Sequence, residues 1–177
     1  MSQPHSPPLI IGIGNEYRGD DAVGLIVARR LNWRLADSVT VLEQGGDGAA
    51  LMEAWRGAEA VIIIDAVASG VAPGAIHRFD ANTRPIPKGA LRCSTHAFGV
   101  AEAIELSRAL GELPQILVIY GIEGKNFAAG VGLSPEVEKA ACEAVIQVFA
   151  ETLSPDHSPA REIARQNPLA DTLENSY

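Results

Sequence analysis

The chain predicts an α/β fold: a single three-layer domain built on a doubly wound, mostly parallel sheet of about five strands with helices on both faces. Three observations carry this prediction. Strand and helix patterns alternate over residues 8–153 in the order β-α-β-α-β-β-α-β-α. The runs Ala60 to Asp65 (AVIIID) and Gln115 to Tyr120 (QILVIY) are apolar almost without interruption, as strands covered on both faces are. Residues 8–31 pass from an apolar run through a glycine-bearing polar turn into a helix, the form of a crossover unit. A length of 177 residues suits one domain with a real core.

Residues 1–7 form a polar arm containing proline, read as flexible and outside the domain at 8–153. The first strand spans about 8–13, and the helix after it runs from near Asp20 to Leu35, with Asp20 read as its N-cap. Arg29, Arg30 and Arg34 lie in its second half, where cations suit the helix dipole. Ser38 to Glu43 alternates and is β-branched, so it reads as a strand. Gln44 to Gly48 is a loop in which Asp47 can cap a helix over 49–57. The central strand 60–65 is followed by a loop over 66–74 and a strand at 75–80, a candidate for an edge of the sheet. The stretch 81–93 reads as irregular. A helix over 97–110 ends at Gly111, the strand 115–120 leads into a glycine-rich segment, and Ser134 with Pro135 starts a last helix to about Leu153. The tail 154–177, with three prolines, reads as loosely ordered.

Composition narrows the function. A formal charge of −8 without a basic patch argues against a nucleic-acid partner. Two distant cysteines, Cys93 and Cys142, make no disulfide framework and fit a reducing compartment. No stretch approaches the ~20 apolar residues of a membrane span, and the N-terminus lacks the features of a signal peptide. The expectation is a soluble, cytoplasmic protein without a membrane partner, and a monomer.

The loops at strand C-termini hold the candidate chemistry. Gly12-Ile-Gly14 invites a dinucleotide reading, but the spacing to Gly19 is wrong for that fingerprint, and Asp20 and Asp21 stand where a phosphate would lie. Gly12, Gly14 and Gly19, with Asn15 between them, shape this first loop. Asp65 ends a buried strand and opens towards the same crevice. His96, near a helix start, has its neutral and ligating form favoured. Two carboxylates and one histidine make a plausible half-open site for Zn²⁺, Ni²⁺ or Mn²⁺. Cys93, three residues before His96, reads more readily as a small apolar residue than as a nucleophile, and Cys142 reads as core. No Gly-x-Ser-x-Gly elbow occurs.

Three blocks, Gly12-I-G-N-E-Y-R-G-D-D-A-V-Gly24, Val61-I-I-I-Asp65-A and Ser94-T-His96-A-F-G-V-A-E-A, together resemble the hydrogenase maturation endopeptidases. The resemblance covers about residues 8–152. It implies an α/β peptidase that removes the C-terminal extension of a nickel–iron hydrogenase large-subunit precursor once nickel is in place. It implies Asp21, Asp65 and His96 as ligands for the nickel of the precursor, or for zinc or cadmium in the isolated protein. It leaves the catalytic group open, with Asp20, Asp21 and Asp47 as candidates. Many members carry an acid-Gly-Gly-Thr turn after the second strand; here Gln44 holds the acid position, between Glu43 and Asp47. That departure keeps a second reading open, a checkpoint or chaperone that binds the same precursor without cutting it.

Overall fold

A computed structural model describes residues 7–35, 38–86 and 98–153. In chain order these form β1 (Leu9–Ile13), a 3₁₀ turn (Gly19–Ala22), α1 (Val23–Leu35), β2 (Thr40–Gln44), α2 (Gly48–Trp55), β3 (Ala60–Val67), β4 (Ile76–Asp80), α3 (Val100–Leu110), β5 (Ile116–Glu123) and α4 (Pro135–Leu153). The sheet order is β2-β1-β3-β5-β4. The first four strands in that order are parallel, and β4 joins β5 antiparallel at the edge.

The alternation of side chains divides the core in two. Ile10, Ile62, Ile64, Val118 and Ile122 face one way and pack on Val23, Val27 and Leu31 of α1 and on Val137, Ala144 and Val148 of α4. Ile11, Ile13, Val61, Ile63, Leu117 and Ile119 face the other way, onto Leu51 and Trp55 of α2 and Val100 and Ile104 of α3. Both faces of the central strands are thus covered, which is why β1 and β3 are buried along their whole length. The expected three-layer α/β architecture is the observed one.

Helix α1 lies unusually close to the sheet. A Cβ on Gly12 would come within 2.5 Å of both the Ala28 Cβ and the Gly24 carbonyl oxygen. A Cβ on Gly24 would land on the carbonyl oxygens of Ile13 and Ile64. Glycine at both positions lets backbone pack on backbone here.

Several local expectations are corrected. The helix expected from Asp20 starts as a 3₁₀ turn, and the α-helix begins at Val23. β3 and β5 extend past Asp65 and Tyr120, because Asp65↔Gly121, Ala66↔Ile122 and Val67↔Glu123 continue the parallel ladder. Cys142 is not core: it sits on the exposed side of α4 beside Arg30, 3.4 Å from Nη1, while Ala141 and Val145 turn inward. Gly111 closes α3 in a left-handed conformation, φ 70°, as expected of a C-terminal glycine. The arm up to residue 6, His96, Cys93 and the tail 154–177 lie outside the described residues.

Candidate functional site

The strand order reverses at β1: the chain leaves it for β2 on one side and returns to β3 on the other. A cleft of about 490 Å³ opens there, at the C-terminal ends of these strands, where an open α/β sheet offers its ligand site. Its walls are the turn from Gly14 to Arg18, the end of β2 from Glu43 to Gly45, and the carboxylates of Asp21 and Asp65.

Asp65 is 2% exposed, and its Oδ2 has no hydrogen-bond partner among the described residues. Burial, then the nearby charge of Asp21, push its carboxyl up to about 7, against a smaller opposing effect of the Ala66 N–H. Asp21 is also buried, and burial raises its carboxyl; Arg18 and the Asn15 N–H offset part of that rise. Two carboxylates that share one desolvated site repel each other, and a proton or a metal cation relieves the repulsion. The structure thus brings together two of the three expected ligand residues. The third, His96, is outside the described residues, and among those described no group of three His, Cys, Asp or Glu side chains could hold a metal.

Asp20, one residue away, is engaged quite differently. It is fully buried and accepts from the N–H groups of Lys125 (2.8 Å), Asn126 (2.8 Å) and Ser134 (2.6 Å) and from the Ser134 hydroxyl (2.7 Å). Burial alone would raise its carboxyl, but donation from Ser134, Asn126 and Lys125 outweighs it and holds the carboxyl below its ordinary value. Arg18, not Asp20, stands at the cap of the 3₁₀ turn, without a side-chain cap bond, so the N-cap expected of Asp20 is absent. The Ser134 hydroxyl, expected to cap α4, donates to Asp20 instead. The same loops are joined by Gly19 N–H to the Gly130 carbonyl and Gly130 N–H to the Tyr17 carbonyl, each 2.9 Å. Gly19 makes this approach with φ 55°, and Gly14 turns away from β1 with φ 150° so that the Asp21 carbonyl can close over it.

The rim carries the remaining expected residues. Asn15 Oδ1 accepts from the Tyr17 N–H at 2.9 Å and tightens the turn. Glu43 accepts from Arg29 Nε (3.0 Å) and Nη2 (2.7 Å), and Glu16 reaches the same guanidinium at 3.4 Å. Asp47 does cap α2, accepting from the Ala50 N–H at 2.9 Å. The two acids flanking Gln44 therefore both have partners, while Gln44 itself lines the cleft.

Sequence reasoning left Glu123 without a role. It is 2% exposed at the C-terminal end of β5 and accepts from Ser69 N–H and hydroxyl and from Gly70 N–H, at 2.8 to 3.2 Å. Its Oε2 lies 3.9 Å from His77 Nε2, whose ring stacks on Phe79. An acid just after an apolar strand run, the same pattern that marks Asp65, is the signal that could have found it.

Comparison with known proteins bears on the family and the fold. Residues 26–151 match a family described as HycI, hydrogenase maturation protease. The hydrogenase 2 maturation protease of Escherichia coli K12 is 31% identical over 148 residues, covering 80% of this chain and 88% of that protein. The hydrogenase expression/formation protein HupD of Thiocapsa roseopersicina is 29% identical over 134 residues, and the match spans 74% of this chain but only 61% of that longer protein. Among solved structures, the hydrogenase maturating endopeptidase HybD from E. coli superposes with a TM-score of 0.71 at 30% identity, covering 82% of this chain and 91% of that one.

Proposed function

This chain belongs to the hydrogenase maturation protease family, and on that premise we propose that it removes the C-terminal extension of a nickel–iron hydrogenase large-subunit precursor after nickel insertion. The family consists of endopeptidases, hydrolases of the peptide bond. The observation that carries the finer reading is the Asp65 carboxylate: buried, raised in pKa, beside Asp21, with one oxygen unpartnered in a cleft. In the proposed mechanism the nickel carried by the precursor is taken by Asp21, Asp65 and His96. The Asp65 oxygen, without a partner among the described residues, then yields binding energy only when the precursor is loaded. The chain's own residues then bind and orient: Asp20 fixes the turn that presents Asp21, and the 14–18 turn walls the cleft. The same donors suit zinc or cadmium, which could occupy the site in the isolated protein.

The test is mass spectrometry of a nickel-loaded precursor incubated with this protein, beside a nickel-free precursor. Asp65→Ala and His96→Ala variants run in parallel. Loss of a C-terminal peptide from the loaded precursor alone, abolished in both variants, is the expected result. Equal cleavage by His96→Ala would sink the nickel reading while leaving the peptidase standing.

One observation favours a second reading, a checkpoint that binds the precursor without cutting it. Gln44 stands at the turn position where the family resemblance implies an acid, and neither flanking acid is free to replace it: Arg29 engages Glu43, and Asp47 caps α2. A stable complex with a processable precursor, unchanged in mass until Gln44→Asp is introduced, would establish that alternative.

A further inference from the structure

Acceptors dominate the walls of the cleft. Asp21, Asp65, Glu16 and Glu43 line it, and two guanidinium groups, Arg18 and Arg29, share it with them. Arg29 is committed: its Nε, Nη1 and Nη2 all donate to Glu43 or Glu16. Arg18 is not. Its side chain makes no hydrogen bond or ion pair with any described residue, although its charge acts on Asp21. Its backbone, in contrast, is held from both sides. The Arg18 N–H donates to the Asn15 carbonyl at 3.1 Å, and the Arg18 carbonyl accepts from Asp21 N–H at 3.1 Å. A parallel bridge to Gly130 pins the same residue to the loop that Asp20 anchors. A fixed backbone therefore presents a half-buried, uncommitted cation to the crevice that holds the two carboxylates.

We propose that Arg18 is the residue that receives the carbonyl oxygen of the bond to be cut, an inference that rests on the endopeptidase reading above. Hydrolysis adds one water across the peptide bond. A lone pair of the attacking oxygen forms the new C–O bond, and the carbonyl π pair moves onto oxygen. Collapse of that oxyanion breaks the C–N bond, and the nitrogen leaves as an amine after taking a proton. The acyl half ends as a carboxylate. The oxyanion is the group that Asp21, Asp65, Glu16 and Glu43 would repel, so it needs a donor among them. The amides of Asn15 and Gln44 are neutral, whereas a guanidinium gives charge-assisted bonds about twice as strong. Its planar fork also reaches two directions at once, so that one N–H can face the oxyanion while another faces Asp21.

The experiment compares wild type with Arg18→Ala and Arg18→Lys on the nickel-loaded precursor. Full time courses separate kcat from KM, and added guanidinium is tested for rescue. Removing one such donor lowers kcat by about 10²- to 10³-fold in comparable sites. The expected result for Arg18→Ala is a loss of that size, with KM within about threefold of wild type, partial rescue by guanidinium and an unchanged melting temperature. Arg18→Lys should fall between the two. A raised KM at constant kcat would make Arg18 a peripheral docking residue and overturn the assignment. So would a lowered melting temperature without rescue, which marks a structural role, or unaltered cleavage by both variants. A wild-type protein that leaves the loaded precursor whole would bring down the endopeptidase reading, and this assignment with it. Wild-type cleavage beside an unaffected Arg18→Ala would bring down the assignment alone.

Discussion

Among the described residues, four buried carboxylates sit at the C-terminal edge of the sheet, and they divide into two kinds. Asp20 and Glu123 are saturated with donors from loops far away in sequence. Asp21 and Asp65 both line the cleft, and one oxygen of Asp65 has no partner among the described residues. The first pair hold the edge of the sheet together. The second pair are tolerated at a cost in stability, as groups reserved for a ligand are. Burial is the same in both kinds, so burial alone does not mark a site. The difference lies in whether the hydrogen-bonding capacity has been used.

The comparison is broken or sharpened by substitution. Asp20→Ala should have the largest effect, because it strips an acceptor from three backbone N–H groups and a hydroxyl. At about 1–3 kcal/mol for each buried donor left unpaired, a loss of about 4 kcal/mol or more is expected, read from the denaturant midpoint. A loss under about 1 kcal/mol would show that the loop does not depend on this anchor. Glu123→Ala should cost somewhat less, about 3 kcal/mol, since the Ser69 hydroxyl can turn to water. Increased amide exchange at Ser69 and Gly70 would localise that loss.

Asp65→Asn should act in the opposite direction. Folding lifts this carboxyl from 3.8 to about 7, so the native state resists its ionisation. The sign follows from linkage: between those values the folded protein binds more protons than the unfolded chain, and stability falls as pH rises from about 4 to 7. The amide removes that slope and should stabilise the protein at pH 8 by roughly 1–3 kcal/mol. An unchanged pH–stability profile would show that folding does not lift the Asp65 carboxyl, and a slope of opposite sign would place Asp65 with Asp20. Gly45→Ala should do least, within about 0.5 kcal/mol, because a Cβ there meets nothing within 4 Å. A thermal melt that shows more would reveal a constraint on the cleft rim beyond packing.

The fold was legible because it depends on local patterns. Ala60–Asp65 reads as a strand covered on both sides, although the last two residues of β3, Ala66 and Val67, read as loop, and Gly111 reads as the end of a helix. Asp65 was legible as well, as an acid closing an apolar run. Asp20 was misread for a physical reason: its partners lie 105 to 114 residues away, and nothing near it in sequence announces them. An aspartate before a helix looks like a cap whether or not it is one. Cys142 was misplaced because alanines flank it on the turn of α4 that the core takes, and small residues do not reveal which side faces in. Arg18 and Arg29 look alike in sequence; only the spatial position of Glu43 and Glu16 separates the engaged guanidinium from the uncommitted one.

The close seating of α1 on β1 through Gly12 and Gly24 has a consequence for how this protein meets its substrate. At Gly12 and Gly24 backbone meets backbone, so at that point no long side chain stands between helix and strand that could slide or repack. The turn carrying Asp21 is clamped at its start by that contact and on its far side by the loop that Asp20 holds. This wall of the cleft is therefore held from both sides. In the reaction proposed above, the loss of disorder on docking then falls on the incoming polypeptide. The released peptide would recover that freedom at once, and the wall would keep the shape it had before.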